Sequence, residues 1–68
     1  MKRWYILIGN DDDQIAYPQG KDTPQQVIDR YKEYNRLKEI WFYGTNGKLE
    51  TVYNCNTGAF RRIVRCIG

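Results

Sequence analysis

The chain has no histidine and no serine among its 68 residues, and only two cysteines, Cys55 and Cys66. Those absences take away most of the side chains that carry chemistry near neutral pH. There is no imidazole to shuttle a proton and no serine nucleophile, and a zinc site of ordinary composition cannot be assembled within one chain. Two cysteines allow at most one internal disulfide, far from the framework of a disulfide-built miniprotein. Long apolar runs are missing too. Trp4-Tyr5-Ile6-Leu7-Ile8 falls well short of the roughly 20 apolar residues that span a bilayer. The basic start Met1-Lys2-Arg3 imitates a signal peptide, but the run behind it is short and Asn10-Asp11-Asp12-Asp13 follows. A soluble cytoplasmic protein is expected.

What is present is aromatic. Two Trp, six Tyr and two Phe stand in a chain with few aliphatic residues. Each ring can bury roughly 150–250 Å², so a handful can build the dense core that a single compact domain over residues 1–68 needs. The net charge of +3 permits contact with nucleic acid or an acidic surface and demands neither.

Along the chain, Trp4 to Ile8 reads as a buried central strand, its unbroken apolarity suggesting cover on both faces. An irregular stretch follows from Gly9 to Asp22, with an edge strand expected over Gln14 to Tyr17. Thr23-Pro24-Gln25-Gln26 carries a capping box with proline at the first helical position. Val27, Ile28, Tyr31, Tyr34 and Leu37 then recur at helical spacing, so the helix is expected to run to Glu39 or Ile40. Ile40 to Tyr43 and Leu49 to Tyr53 flank Asn46-Gly47, a type I′ hairpin signal. A second turn near Asn56-Thr57-Gly58 leads into a strand over Ala59 to Ile67. The fold class is α+β: a small antiparallel sheet in β-α-β-β-β order, with room for one extra edge strand, and a single amphipathic helix packed on one face.

With Asn46 and Gly47 as a two-residue loop, Phe42 pairs with Thr51, Ile40 with Tyr53, Trp41 with Val52 and Tyr43 with Glu50. The helix-side face then gathers Ile40, Phe42, Leu49, Tyr53, Phe60, Val64 and Cys66. The other face carries Trp41, Tyr43, Lys48, Glu50, Val52, Arg61, Ile63 and Arg65, with no second helix to cover it. A one-residue slip of the last strand would drive Arg61 and Arg65 into the core. Arg62 falls on the core side, which suits it only near an edge or by snorkelling.

Trp41, Tyr43, Glu50, Arg61 and Arg65 are therefore the candidate partner-binding residues. Trp, Tyr and Arg are the types enriched at protein hot spots. The same set resembles in outline a stacking platform for single-stranded nucleic acid, without the signature segments of the RNA-recognition fold. A plain solvated sheet face, with Glu50 pairing an arginine, is the structural alternative. Asp11-Asp12-Asp13 fits a solvated turn better than a calcium loop, since Ala16 stands where that loop needs glycine. Cys55 and Cys66 are offset along their strands by more than a disulfide spans, so two reduced, largely buried thiols are expected. Arg30, Lys32, Arg36 and Lys38 are interleaved with Asp29, Glu33 and Glu39, which favours local pairing. Gly44 to Lys48 lacks the spacing of a phosphate loop.

Without imidazole, and with little room in so small a core for a ligand cavity, the chain reads as not an enzyme; no cofactor and no metal are called for. The expectation is a non-catalytic binding protein, of the phage or mobile-element inhibitor type, docking on a larger host defence protein. A nucleic-acid or anionic-nucleotide binder using the same face is the alternative. A bare aromatic sheet face also suits pairing with a second copy as a homodimer.

Overall fold

The computed structural model describes residues 3–34 and 36–63. Five strands, β1 (Trp4–Gly9), β2 (Gln14–Pro18), β3 (Leu37–Tyr43), β4 (Leu49–Asn54) and β5 (Phe60–Arg62), form one antiparallel sheet in the order β2-β1-β3-β4-β5. One helix, α1 (Pro24–Tyr31), lies between β2 and β3 in sequence and packs on one face. The small α+β architecture expected from the sequence is thus the one found, with the extra edge strand present as β2. Val64, Arg65, Cys66 and the expected strand end at Ile67 lie outside the described residues.

The core forms where α1 crosses β1 and β3. Val27 and Ile28 meet Tyr5, Leu7, Ile40 and Phe42, all buried, and Tyr31, Leu37, Tyr53 and Cys55 pack around them. Tyr5 is nearly sealed at 2% exposure, and its hydroxyl donates to that of Tyr31 at 3.3 Å. Burial, then that contact, pushes the Tyr5 pKa up to about 12. Gln19, the buried polar residue, ties the end of β2 to the helix entry: its amide donates to the Arg3 carbonyl and its side chain to that of Asp22 (2.8 Å). A buried amide must be satisfied in this way or cost stability.

The helix start follows its sequence signal. The Gln26 amide donates to Thr23 Oγ1 (3.2 Å) and the Thr23 amide to Gln26 Oε1 (2.9 Å), closing the capping box. Its end does not. The helix stops at Tyr31, not at Glu39 or Ile40, and Tyr34 is left 60% exposed. The reason lies in partners available to the following backbone. The Asn10 amide donates to the Arg36 carbonyl and that of Cys55 to Lys38, while Leu37 and Glu39 pair with Gly9 and Ile8. These residues extend β3 between two neighbours, where a longer helix would leave β1 and β4 unpaired there. Arg36 and Lys38 are accordingly not helical.

The first hairpin keeps the expected pairs Phe42 with Thr51, Ile40 with Tyr53 and Trp41 with Val52, then departs from them. Gly47 is at φ +77°, while Asn46 is not left-handed, so the loop is not type I′. The Gly47 amide donates to the Gly44 carbonyl (3.0 Å), the Gly44 amide to Lys48 (3.0 Å), and the Lys48 amide to Asn46 Oδ1. This is a three-residue loop with glycine at its left-handed position. The strand register shifts beside it, so Tyr43 pairs with Leu49, not Glu50, and Leu49 leaves the helix-side core.

The second hairpin runs in the expected register, Tyr53 with Phe60, Val52 with Arg61 and Thr51 with Arg62. Phe60 is on the helix side but half exposed, because the eight-residue helix does not reach it; its ring rests on Tyr53 at 5.0 Å. Arg62 sits exposed on the edge strand, which resolves its place on that side.

Candidate protein-binding face

Strand alternation sends Tyr5 and Leu7 to the helix and Trp4, Ile6 and Ile8 to the opposite face. Pairing aligns them with β3 and β4. One row reads Ala16, Ile6, Trp41, Val52 and Arg61 across the sheet; a second reads Trp4 and Tyr43; a third Ile8, Glu39 and Asn54. No helix among the described residues covers these rows. Val52 and Ile8 are nonetheless buried, while Trp4, Ile6, Trp41 and Tyr43 are half-buried. The aromatic side chains of this face keep part of their own surface exposed.

The rings are held in place. Trp4 and Tyr43 stack with centroids 4.4 Å apart and planes 20° apart. The Trp41 indole N–H donates to Glu39 Oε1 at 3.2 Å. Indole burial is favourable only when that donor is satisfied. Arg61 stands exposed at the end of the Trp41 row, beside a shallow cleft of about 160 Å³ between Glu39, Val52, Asn54 and Arg61.

The structure thus brings Trp41, Tyr43 and Arg61 together on one face. Glu50 does not join them. The register shift leaves it without a partner in β3, and its carboxylate lies where a Cβ on Gly44 would come within 2.6 Å. Arg65 lies outside the described residues. Trp4, Ile6 and Ile8 belong to the face and were not expected there, because a wholly apolar run shows no alternation by which to divide it.

Glu50 instead borders an open surface groove of about 560 Å³, together with Arg3, Lys48, Thr51 and Arg62. The ion pairs among the described residues are elsewhere: Arg30 to Asp22 at 2.7 Å, Lys32 to Asp29 at 3.7 Å and Lys38 to Asp12 at 3.6 Å. Asp22 accordingly raises the Arg30 pKa. The aspartate run forms the tight β1–β2 connection, with Asp12 at φ +63° and the Gly9 amide on the Asp13 carbonyl. Cys55 is half-buried, and burial, then the nearby Glu39 charge, pushes its thiol pKa up. Its partner in sequence, Cys66, lies outside the described residues. No helix among the described residues is long and apolar enough to cross a membrane.

Compared with known protein families, with curated proteins and with solved structures, the chain matches none.

Proposed function

We propose that this chain is a non-catalytic binding protein that docks on a larger protein through the helix-free face of its sheet. The observation that carries this reading is the fixed aromatic layer there. Trp4 stacked on Tyr43 and Trp41 held by Glu39 are half-buried, already ordered and rimmed by Arg61. Rigid aromatic anchors lose little conformational entropy on binding, which is why such residues dominate interface hot spots. Docking of this kind is what an inhibitor of phage or mobile-element type needs; the aromatic and arginine composition of the face is its support.

A nucleic-acid or anionic-nucleotide partner is the second reading. Arg3, Lys48, Arg61 and Arg62 form no ion pair among the described residues, which favours an anion at that end of the sheet. Against a stacking platform stands the split of the arginines: Arg61 and Arg62 are neighbours on β5 and so point to opposite faces. A phosphate track beside the aromatic layer has only Arg61 from that strand.

The test is capture of bound material from bacterial lysate on the tagged chain, with and without nuclease. A stoichiometric protein that survives nuclease and moderate salt supports protein docking. Nuclease-sensitive material, with binding that falls by orders of magnitude between about 50 and 200 mM salt, transfers the role to nucleic acid.

A further inference from the structure

The edges of the sheet differ in kind. β5 is three residues long and two of them are arginines. β2, Gln14-Ile15-Ala16-Tyr17-Pro18, carries no charge and is exposed along its whole length, with Ile15 at 50% and Tyr17 at 38% exposure. Natural edges are normally blunted by charge, proline, a bulge or a covering element; β2 has proline only at its last position, Pro18, and is otherwise open among the described residues, a template for another strand.

The hydrogen-bond phase of β2 says which strand would fit. The Gln19 amide donates to the Arg3 carbonyl and the Gly9 amide to the Asp13 carbonyl. In the register of β1 with β2, these are the hydrogen-bonded pairs, and so are Tyr5 with Tyr17 and Leu7 with Ile15. The backbone groups of Gln14, Ala16 and Pro18 therefore face outward. An antiparallel copy of the same strand centred on Ala16 meets them in kind. Ala16 would exchange both its bonds with Ala16 of the other copy, and each Gln14 amide would reach the Pro18 carbonyl opposite. Pro18 sits where its missing N–H costs one bond per copy at the end of the ladder.

Side chains agree with that register. It sets Ile15 opposite Tyr17 on the helix side, a β-branched residue against an aromatic, which is among the favourable cross-strand pairs. Tyr17 is already stacked on Tyr31 at 6.5 Å and Tyr31 edge-on to Tyr34 at 5.5 Å, so the two tyrosine clusters would meet. The antiparallel order also carries the Asp11–Asp13 end of one strand toward Lys21 of the other. At β5, self-pairing would bring arginines together instead.

We propose that two copies of this chain join β2 edge to β2 edge about a twofold axis at Ala16, making one continuous ten-stranded sheet from two five-stranded ones. The arrangement leaves the aromatic face of each copy open and is independent of what that face binds.

Sedimentation equilibrium from micromolar to millimolar chain tests it. The parent is expected to reach twice its 8.1 kDa. Ile15→Lys places a charge on the edge, and Ala16→Pro removes the outward amide at the axis; each should weaken the dimer by about tenfold or more, with the parent's circular dichroism. Trp41→Ala should stay dimeric. A parent that stays monomeric at millimolar concentration overturns the proposal. So does a dimer that survives Ile15→Lys or is lost in Trp41→Ala.

Discussion

Trp4 and Tyr43 face each other across the β1–β3 pair with ring centroids 4.4 Å apart and planes 20° from parallel. The contact closes the β1–β3 pair at the end remote from the connection through β2 and α1, which leaves β1 at Gly9 and enters β3 at Leu37. It should therefore stabilise the fold as well as present a surface. A double-mutant cycle with Trp4→Ala and Tyr43→Ala, read by chemical denaturation, should return a coupling of about 0.5–1.5 kcal/mol. Additive losses would mean that the rings are neighbours without energetic consequence.

Alkaline pH should loosen the core at Tyr5. Its pKa in the folded chain stands at about 12 against an ordinary 10.0, so the fold favours the neutral phenol. That contribution is complete below pH 10 and drains away as pH rises toward 12, where the unfolded chain ionises first. Two pH units of such linkage amount to at most about 2–3 kcal/mol. The raised Cys55 thiol acts in the same direction. Tyr5→Phe should lose about 0.5–1.5 kcal/mol near neutrality with the Tyr31 hydrogen bond, yet fall less steeply between about pH 10 and 12. Parallel pH profiles for parent and variant would contradict this origin.

The capping box should be worth measuring alone. Thr23→Ala removes the acceptor of the Gln26 amide, and about 0.5–2 kcal/mol of stability should go with it. Thr23→Asp should be close to neutral. Because α1 has only eight residues, loss of the cap should also reduce helical circular dichroism.

These elements were unequally legible in the sequence. The helix entry was readable because Thr23, Pro24 and Gln26 act locally, each satisfying a group within a few residues. The exit was not, because Tyr34 and Leu37 continue the helical spacing while Arg36 and Lys38 find backbone partners on β1 and β4, which no local pattern displays. Cross-strand pairs near Trp41 followed from alternation; the shift at Tyr43 came from a loop one residue longer than Asn46-Gly47 alone suggests. That single residue removed Glu50 from the candidate face. Trp41, Tyr43 and Arg61 share one face because alternation along β3 is unbroken and the Trp41–Val52–Arg61 row lies beyond the shift at Glu50.

Gly47 tests the corrected loop. At φ +77° with open space around it, Gly47→Ala should cost about 1 kcal/mol from backbone strain alone, and Gly47→Asn less. Under a type I′ loop Asn46 would share the left-handed burden, and Asn46→Ala would cost as much. With Asn46 right-handed and its side chain accepting from Lys48, Asn46→Ala should cost only that hydrogen bond. Denaturation midpoints of the three variants separate the two geometries.

Docking of a partner on the helix-free aromatic face is the proposed role. The measurement that reaches it most directly is capture from lysate by three folded chains side by side: parent, Trp41→Ala and Tyr34→Ala, the last altering an exposed ring on the other side. Binding that persists in the parent and in Tyr34→Ala but weakens in Trp41→Ala by roughly 2 kcal/mol or more is the expected result. Equal capture by parent and Trp41→Ala, with Tyr34→Ala deficient, would place the binding surface on the helix side and contradict docking through the aromatic face.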